Sequence, residues 1–308
     1  MAHPFQPGTQ QAAQNSLQLR ADGKLTRRTL LRGTALGAVG LALYAGEIER
    51  HWIEHRRIAI PIRGLAEAMD GFRLAQVSDI HLESWTEPFF LREAVRLVNR
   101  MKPDAVMLTG DFISTDENGT TFPLEAMHTC AEILSALECP TIYGILGNHD
   151  AQVNPAAVVE ALAERRIPVL RNRAVAIERD GARFWLAGID DMLAGGPRLD
   201  ETIPEKIRGI ADEPVILLGH EPDPAVGIAR QPAGQSVRLM LSGHTHGGQV
   251  RLPFVGALTL PPKGKLFVEG LFTVGAMQLY VNRGLGTVGV PFRFDCPPEI
   301  TEITLRSA

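Results

Sequence analysis

Five short clusters in this chain carry side chains able to hold metal ions or move protons: Asp79-Ile80-His81, Gly110-Asp111, Gly147-Asn148-His149-Asp150, Gly219-His220 and Gly243-His244-Thr245-His246. Imidazole and carboxylate together suit borderline ions such as Mn²⁺, Fe or Zn²⁺, whereas Mg²⁺ and Ca²⁺ favour all-oxygen shells. Taken singly, each cluster is ordinary, since a Gly-Asp pair usually closes a turn and a lone histidine is usually structural. The three cysteines, Cys130, Cys139 and Cys296, form no Cys-x-x-Cys pattern and leave one unpaired in any connectivity. Neither a thiolate metal site nor a disulfide framework is therefore indicated.

The clusters gain weight from the elements that must position them. From Phe72 onward the chain repeats a short apolar run, a polar cluster and then an amphipathic stretch, which predicts an α/β domain. The runs Phe72 to Ser78, Ala105 to Thr109, Ile142 to Leu146, Val215 to Leu218 and Val237 to Leu241 each read as a strand that ends in one cluster. In open α/β sheets, ligands collect outside the carboxyl ends of strands, so the five clusters can meet in one place. Phe90, Ala94, Leu97, Val98 and Met101 repeat at helical spacing behind a capping Thr86, and a second helix starts near Pro123. Asp180-Gly181 between Ala174 to Ile177 and Phe184 to Ile189 predicts a hairpin, and several short strands should follow Gln249. No internal repeat is visible, and a single catalytic domain is expected.

In this order the five blocks resemble the signature of the calcineurin-like metallophosphoesterases, over roughly Phe72 to the C-terminus. The resemblance implies a sandwich of two mixed β-sheets flanked by helices (αββα) and two divalent metal ions. It also implies the ligand sets: Asp79, His81 and His246 for one ion, Asn148, His220 and His244 for the other, and Asp111 as the bridge. Only Asp79 and Asp111 are anionic, so two divalent ions leave a surplus of about two positive charges for a phosphate. Metals roughly 3.5 to 4 Å apart can share a water, lower its pKa and direct it at phosphorus. His149 is expected to protonate the leaving group, with Asp150 holding its tautomer or raising its pKa. Gly243 to Pro253 and Tyr280-Val281-Asn282-Arg283-Gly284-Leu285-Gly286 resemble a bacterial branch of small exported phosphoesterases, which often carries twin-arginine signals. Glu221 departs from that pattern by adding negative charge beside the second metal. Arg283, Lys263 and Lys265 are further candidates for phosphate contact, and Asp190 or Asp191 for orienting a ligand histidine.

The N-terminus reads as an address. Residues up to about Lys24 are polar and Gln-rich and predict a disordered leader. Thr26-Arg27-Arg28-Thr29-Leu30-Leu31-Arg32 then precedes an apolar run from Gly33 to Gly46, the order of a twin-arginine export signal. A cut after Ala45 meets the small-residue rule poorly, so retention as an anchor is an alternative. The expected organisation is a leader and signal or anchor at 1–46, a charged stalk and entry to the domain at 47–71 and the phosphoesterase domain at 72–308. The expected partners are a phosphate ester substrate, the twin-arginine translocation machinery and the membrane surface, and the expected location is the periplasm or cell envelope. Net charge is −4 overall, but the chain through Arg57 carries +4, leaving −8 on the body. So acidic a body argues against general nucleic-acid binding. Two other readings compete: a non-catalytic platform, against which the full ligand set argues, and a metal-dependent amide or lactone hydrolase. A lipid or envelope substrate follows from location alone.

Overall fold

In a computed structural model that describes residues 27–82, 85–115 and 121–308, every apolar run ending in a ligand-type cluster is a strand. In chain order the strands are β1 (Glu54–Ile62), β2 (Arg73–Val77), β3 (Ala105–Leu108), β4 (Ile142–Gly144), β5 (Arg173–Arg179), β6 (Ala182–Gly188) and β7 (Val215–Leu218). They continue with β8 (Val237–Ser242), β9 (Arg251–Leu252), β10 (Gly256–Ala257), β11 (Gly270–Val274), β12 (Met277–Val281) and β13 (Glu299–Ser307). The main helices are α1 (Arg27–Leu43), α2 (Pro88–Met101), α3 (Thr121–Leu134), α4 (Asn148–Val153) and α5 (Pro155–Glu164). The chain divides after Tyr44, and Ala45–Ala308 forms one compact unit holding all of these strands.

Two mixed sheets build that unit, ordered β1-β13-β2-β3-β4 and β11-β12-β8-β7-β6-β5. Strands β2, β3 and β4 run parallel, as do β6, β7, β8 and β12, so their carboxyl ends lie on one rim of each sheet. Side chains alternate between two buried faces, which is why these strands read as unbroken apolar runs. Leu74 and Met107 join Ile216, Leu218 and Leu241 in the core between the sheets. Their neighbours Ala75, Val77, Val106 and Leu108 face outward and pack with Phe90, Val98, Met127 and Leu162 of α2, α3 and α5. On the far side, Val215, Leu217 and Met240 pack with Leu199, Ala225 and Ile228 of two short helices. The result is the expected αββα sandwich.

Three expectations need correction. Helix α2 begins one residue late for a Thr86 cap, because Glu87 occupies the cap position and Pro88 takes the first helical turn. Helix α3, whose apolar spacing predicts that it carries Leu124, Met127, Ile133, Leu134 and Leu137, stops at Leu134. The larger difference lies in 47–71, expected to be a stalk and the entry to the domain. Strand β1 lies inside it, pairs in parallel with β13 from Glu54 to Ile62, and buries Ile60 and Ile62 in the core between the sheets. The dense charge of Glu54 to Arg57 masks the Ile58, Ile60, Ile62 alternation that makes this an edge strand. The leader and Thr26 lie outside the described residues. The helical run Arg27–His51, 25 residues, is long and apolar enough to cross a membrane by length and composition, a test that signal sequences also meet.

Candidate metal centre

The seven ligand candidates sit just past the ends of β2, β3, β4, β7 and β8. There Asp79, His81, Asp111, His244 and His246 adopt φ values of 50°, 48°, 55°, 72° and 51°. Residues other than glycine rarely accept this left-handed region, and such strain concentrates at functional sites. Glycine at the adjoining positions allows the loops to close on one another. A side chain at Gly243 would overlap Ser78 Oγ and Asp79 Oδ2, and one at Gly147 would overlap Asp111 Oδ1.

Two buried groups result, Asp79, His81 and His246, and Asp111, His220 and His244, each with its ligand atoms within 4.8 Å of one another. Asp111 lies between them, its Oδ2 being 3.5 Å from His81 Nε2 and 3.1 Å from His220 Nε2. Its Oδ1 accepts the His149 backbone N–H at 2.9 Å, which ties it to the start of α4 where Asn148 stands. Backbone carbonyls fix which imidazole nitrogen remains free. His220 Nδ1 donates to Thr109 O at 2.7 Å, His246 Nδ1 to Gly286 O at 3.3 Å and His244 Nε2 to Pro262 O at 2.8 Å. His81 Nδ1 meets Ser114 Oγ at 2.8 Å.

Burial pulls His81 down to about 3 and His244 to about 4, and drives His246 well below the usual imidazole range. These three rings are neutral, with a lone pair available. His220 differs: burial would lower it, but the Asp111 carboxylate outweighs burial and holds it well above the imidazole range. A proton and a metal ion therefore contend for its Nε2. Burial, reinforced by Asp111, raises Asp79 to about 6; for Asp111 itself, His220 and His149 outweigh burial and keep it low.

The donors fit divalent ions on internal grounds. Asn148 Oδ1 is buried without a hydrogen-bond partner among the described residues, and His220 Nε2 faces the Asp111 carboxylate at 3.1 Å. His81 Nε2 faces His246 Nε2 at 3.1 Å, although both rings are neutral and their Nδ1 atoms are engaged elsewhere. Converging lone pairs and orphaned acceptors are what a cation satisfies.

His149 Nδ1 accepts the Thr115 backbone N–H at 3.0 Å, leaving the proton of a neutral ring on Nε2. Asp150 does not orient that ring. Its carboxylate accepts N–H groups from Asp111 (2.8 Å), Phe112 (3.0 Å), Ile113 (3.3 Å) and Gly147 (3.0 Å), clamping the loop after β3 to the loop after β4. The hydrogen bonds of Asp150 thus go to the ligand loops. Arg283 pairs with Glu299 at 2.8 Å and Glu54 at 2.5 Å, and Lys263 Nζ donates to Met192 O. Asp190 pairs with Arg171, and Asp191 holds the N–H groups of Leu193, Ala194 and Gly195. Burial and its Asp191 neighbour raise Glu221 to about 8, which mutes the negative charge expected beside His220. Ser114, Thr115 and Pro262 support the site without any sequence signal. Arg293, fully buried, does so as well, donating to Gly286 O and lying 3.5 Å from His246 Nδ1.

A family model described as calcineurin-like phosphoesterase matches residues 72–248. The chain is 36% identical to the uncharacterized metallophosphoesterase YkuE of Bacillus subtilis, over 92% of this chain and 99% of that one. It is 30% identical to the phosphodiesterase YaeI of Escherichia coli, over 91% of this chain and 99% of the relative. A transmembrane protein with metallophosphoesterase domain from Danio rerio is 32% identical over 82% of this chain and 57% of its own length. Matched along the body and nearly end to end by bacterial relatives, the chain is a hydrolase of phosphoester bonds and belongs to the calcineurin-like phosphoesterase family.

Proposed function

We propose that this chain is an exported, membrane-anchored phosphodiesterase working at a two-metal centre. Asp79, His81 and His246 hold one ion, Asn148, His220 and His244 hold the other, and Asp111 serves both. The observation that carries the assignment is Asn148 Oδ1, buried without a hydrogen-bond partner among the described residues, together with Asp111 Oδ2 and His220 Nε2 held 3.1 Å apart. Bound there, two divalent ions such as Mn²⁺, Fe or Zn²⁺ supply Lewis acidity toward phosphoryl oxygens and an activated water for attack at phosphorus. The protein supplies the rest. Thr115 holds the His149 ring with its proton on Nε2, the nitrogen that donates to a substrate or leaving-group oxygen. Asp150 fixes the loops that carry Asp111 and Asn148. The name of the Escherichia coli relative favours a diester over a monoester. Arg27-Arg28 at the head of an apolar helix favours export, and the length of that helical run with the name of the Danio rerio relative favours an anchor.

The test combines elemental analysis with turnover of bis-p-nitrophenyl phosphate and p-nitrophenyl phosphate, with each metal added back in turn. His244→Ala should lose both bound metal and activity. His149→Ala should keep its metal while turnover falls by about 10²- to 10⁴-fold. Fewer than two ions per chain in folded, metal-supplied protein, or equal metal loss in both variants, would overturn the assignment.

A further inference from the structure

The segment Ala45–His51 is fastened into the catalytic unit rather than hanging from it. Ala45 O accepts the Arg293 N–H at 3.0 Å, and Glu49, 4% exposed, accepts the Cys296 N–H at 2.7 Å. Arg50 reaches Glu87 at 2.5 Å and Trp85 O at 2.7 Å, and the His51 ring lies 5.5 Å from that of Phe89. The strap that receives Ala45, residues 292–296, includes Phe294, whose backbone exchanges hydrogen bonds with Gln249 (3.0 Å) and Arg251 (2.9 Å) at the base of the β9–β10 hairpin. One hydrogen-bonded surface thus runs from the docked segment to the hairpin. Along it the large apolar side chains are left in the open. Trp52, Trp85 and Phe89 stand beside the segment, Phe292 lies on the strap, and Val255 and a fully exposed Phe254 form the hairpin tip. Scattered apolar residues need no explanation, whereas six large exposed ones strung along one hydrogen-bonded path do.

The chain itself indicates what covers this band. Ala45–His51 is the end of the helical run Arg27–His51, which has the length and composition to cross a membrane. The band therefore begins where the chain would leave a bilayer, the depth at which tryptophan and other aromatics concentrate. The same elements touch the metal centre. Arg293 sends Nη2 to within 3.5 Å of His246 Nδ1, and Cys296 Sγ lies 3.2 Å from His246 O.

We propose that the catalytic unit rests on a lipid bilayer through this band, from Trp52 across Phe292 to Phe254. The metal centre then acts on phosphate esters held at the membrane surface, a consequence that rests on the phosphoesterase reading above.

The test uses the full chain in vesicles of phosphatidylcholine and phosphatidylglycerol with acyl chains brominated near the headgroup, which quench tryptophan on contact. Replacing Trp52, Trp85 and Trp185 with Phe and introducing Phe254→Trp leaves one reporter at the hairpin tip. Its emission should fall by about half relative to unbrominated vesicles, while a chain keeping only Trp185 should not respond. Equal emission from the hairpin reporter overturns the proposal, whether the band is bare or covered by a protein, and does so even where Trp52 is quenched by the tether alone. Independently, Phe254→Asp should leave hydrolysis of soluble bis-p-nitrophenyl phosphate unchanged. It should slow hydrolysis of a vesicle-embedded p-nitrophenyl phosphodiester lipid about tenfold. Equal rates of that variant and the native chain on the lipid overturn the docking. A native chain inactive on the soluble ester would instead strike at the phosphoesterase reading.

Discussion

Asp150 illustrates how far a residue's identity can be separated from its task. Its place beside His149 suggests a proton-transfer partner, yet its two oxygens are filled by four backbone N–H groups of the ligand loops. An amide cannot accept four donors, and its NH₂ would face N–H groups, so Asp150→Asn leaves buried donors unsatisfied at about 1 to 3 kcal/mol each. The variant should melt earlier than the native protein and bind metal less tightly, because the loops bearing Asp111 and Asn148 lose their clamp. Unchanged stability with an altered pH profile of turnover would restore the tuning role. The ligand candidates themselves were legible because their chemistry resides in their side chains. The groups that orient them were not: Thr109, Pro262 and Gly286 act through backbone carbonyls, which every residue type possesses.

Strands with both faces buried announced themselves as apolar runs, and β7 was found to the residue. Strand β1 did not, because an edge position leaves half of its side chains in solvent and its charged start resembles a surface helix. The turns of Ala45–His51 were hidden for a different reason: their anchoring depends on Arg293 and on Cys296, 247 residues beyond Glu49, a pairing that no local pattern encodes. A chain starting at Ala45 should accordingly be more stable than one starting at Trp52, which loses the Glu49 and Arg50 interactions. The expected difference is about 2 to 4 kcal/mol, or roughly 5 to 15 °C in melting temperature. A chain starting at Gly64 lacks β1 altogether and should not fold cooperatively, since Ile303 and Leu305 of β13 lose their cover. Thermal melts of the three proteins check this, and identical transitions for the first two would mean that the docked segment adds nothing.

The two sheets meet through an apolar core and again through the candidate ligands. Asp79, His81, Asp111 and Asn148 follow strands of one sheet, while His220, His244 and His246 follow strands of the other. Each proposed ion draws on both, so binding should hold the sheets together as well as equip the site. Because the unfolded chain cannot reproduce this arrangement, an ion present at about a thousand times its dissociation constant adds about 4 kcal/mol to stability. For a domain of this size that corresponds to roughly 8 to 16 °C per ion. Stripping metal with a chelator should therefore lower the melting temperature by at least that amount, and adding Mn²⁺ or Zn²⁺ should restore it. Asp111→Asn weakens the one group placed between both ligand sets, so its melt should respond little to added metal. If the native protein melted at the same temperature with and without two bound ions, the ions would not be drawing their ligands from both sheets.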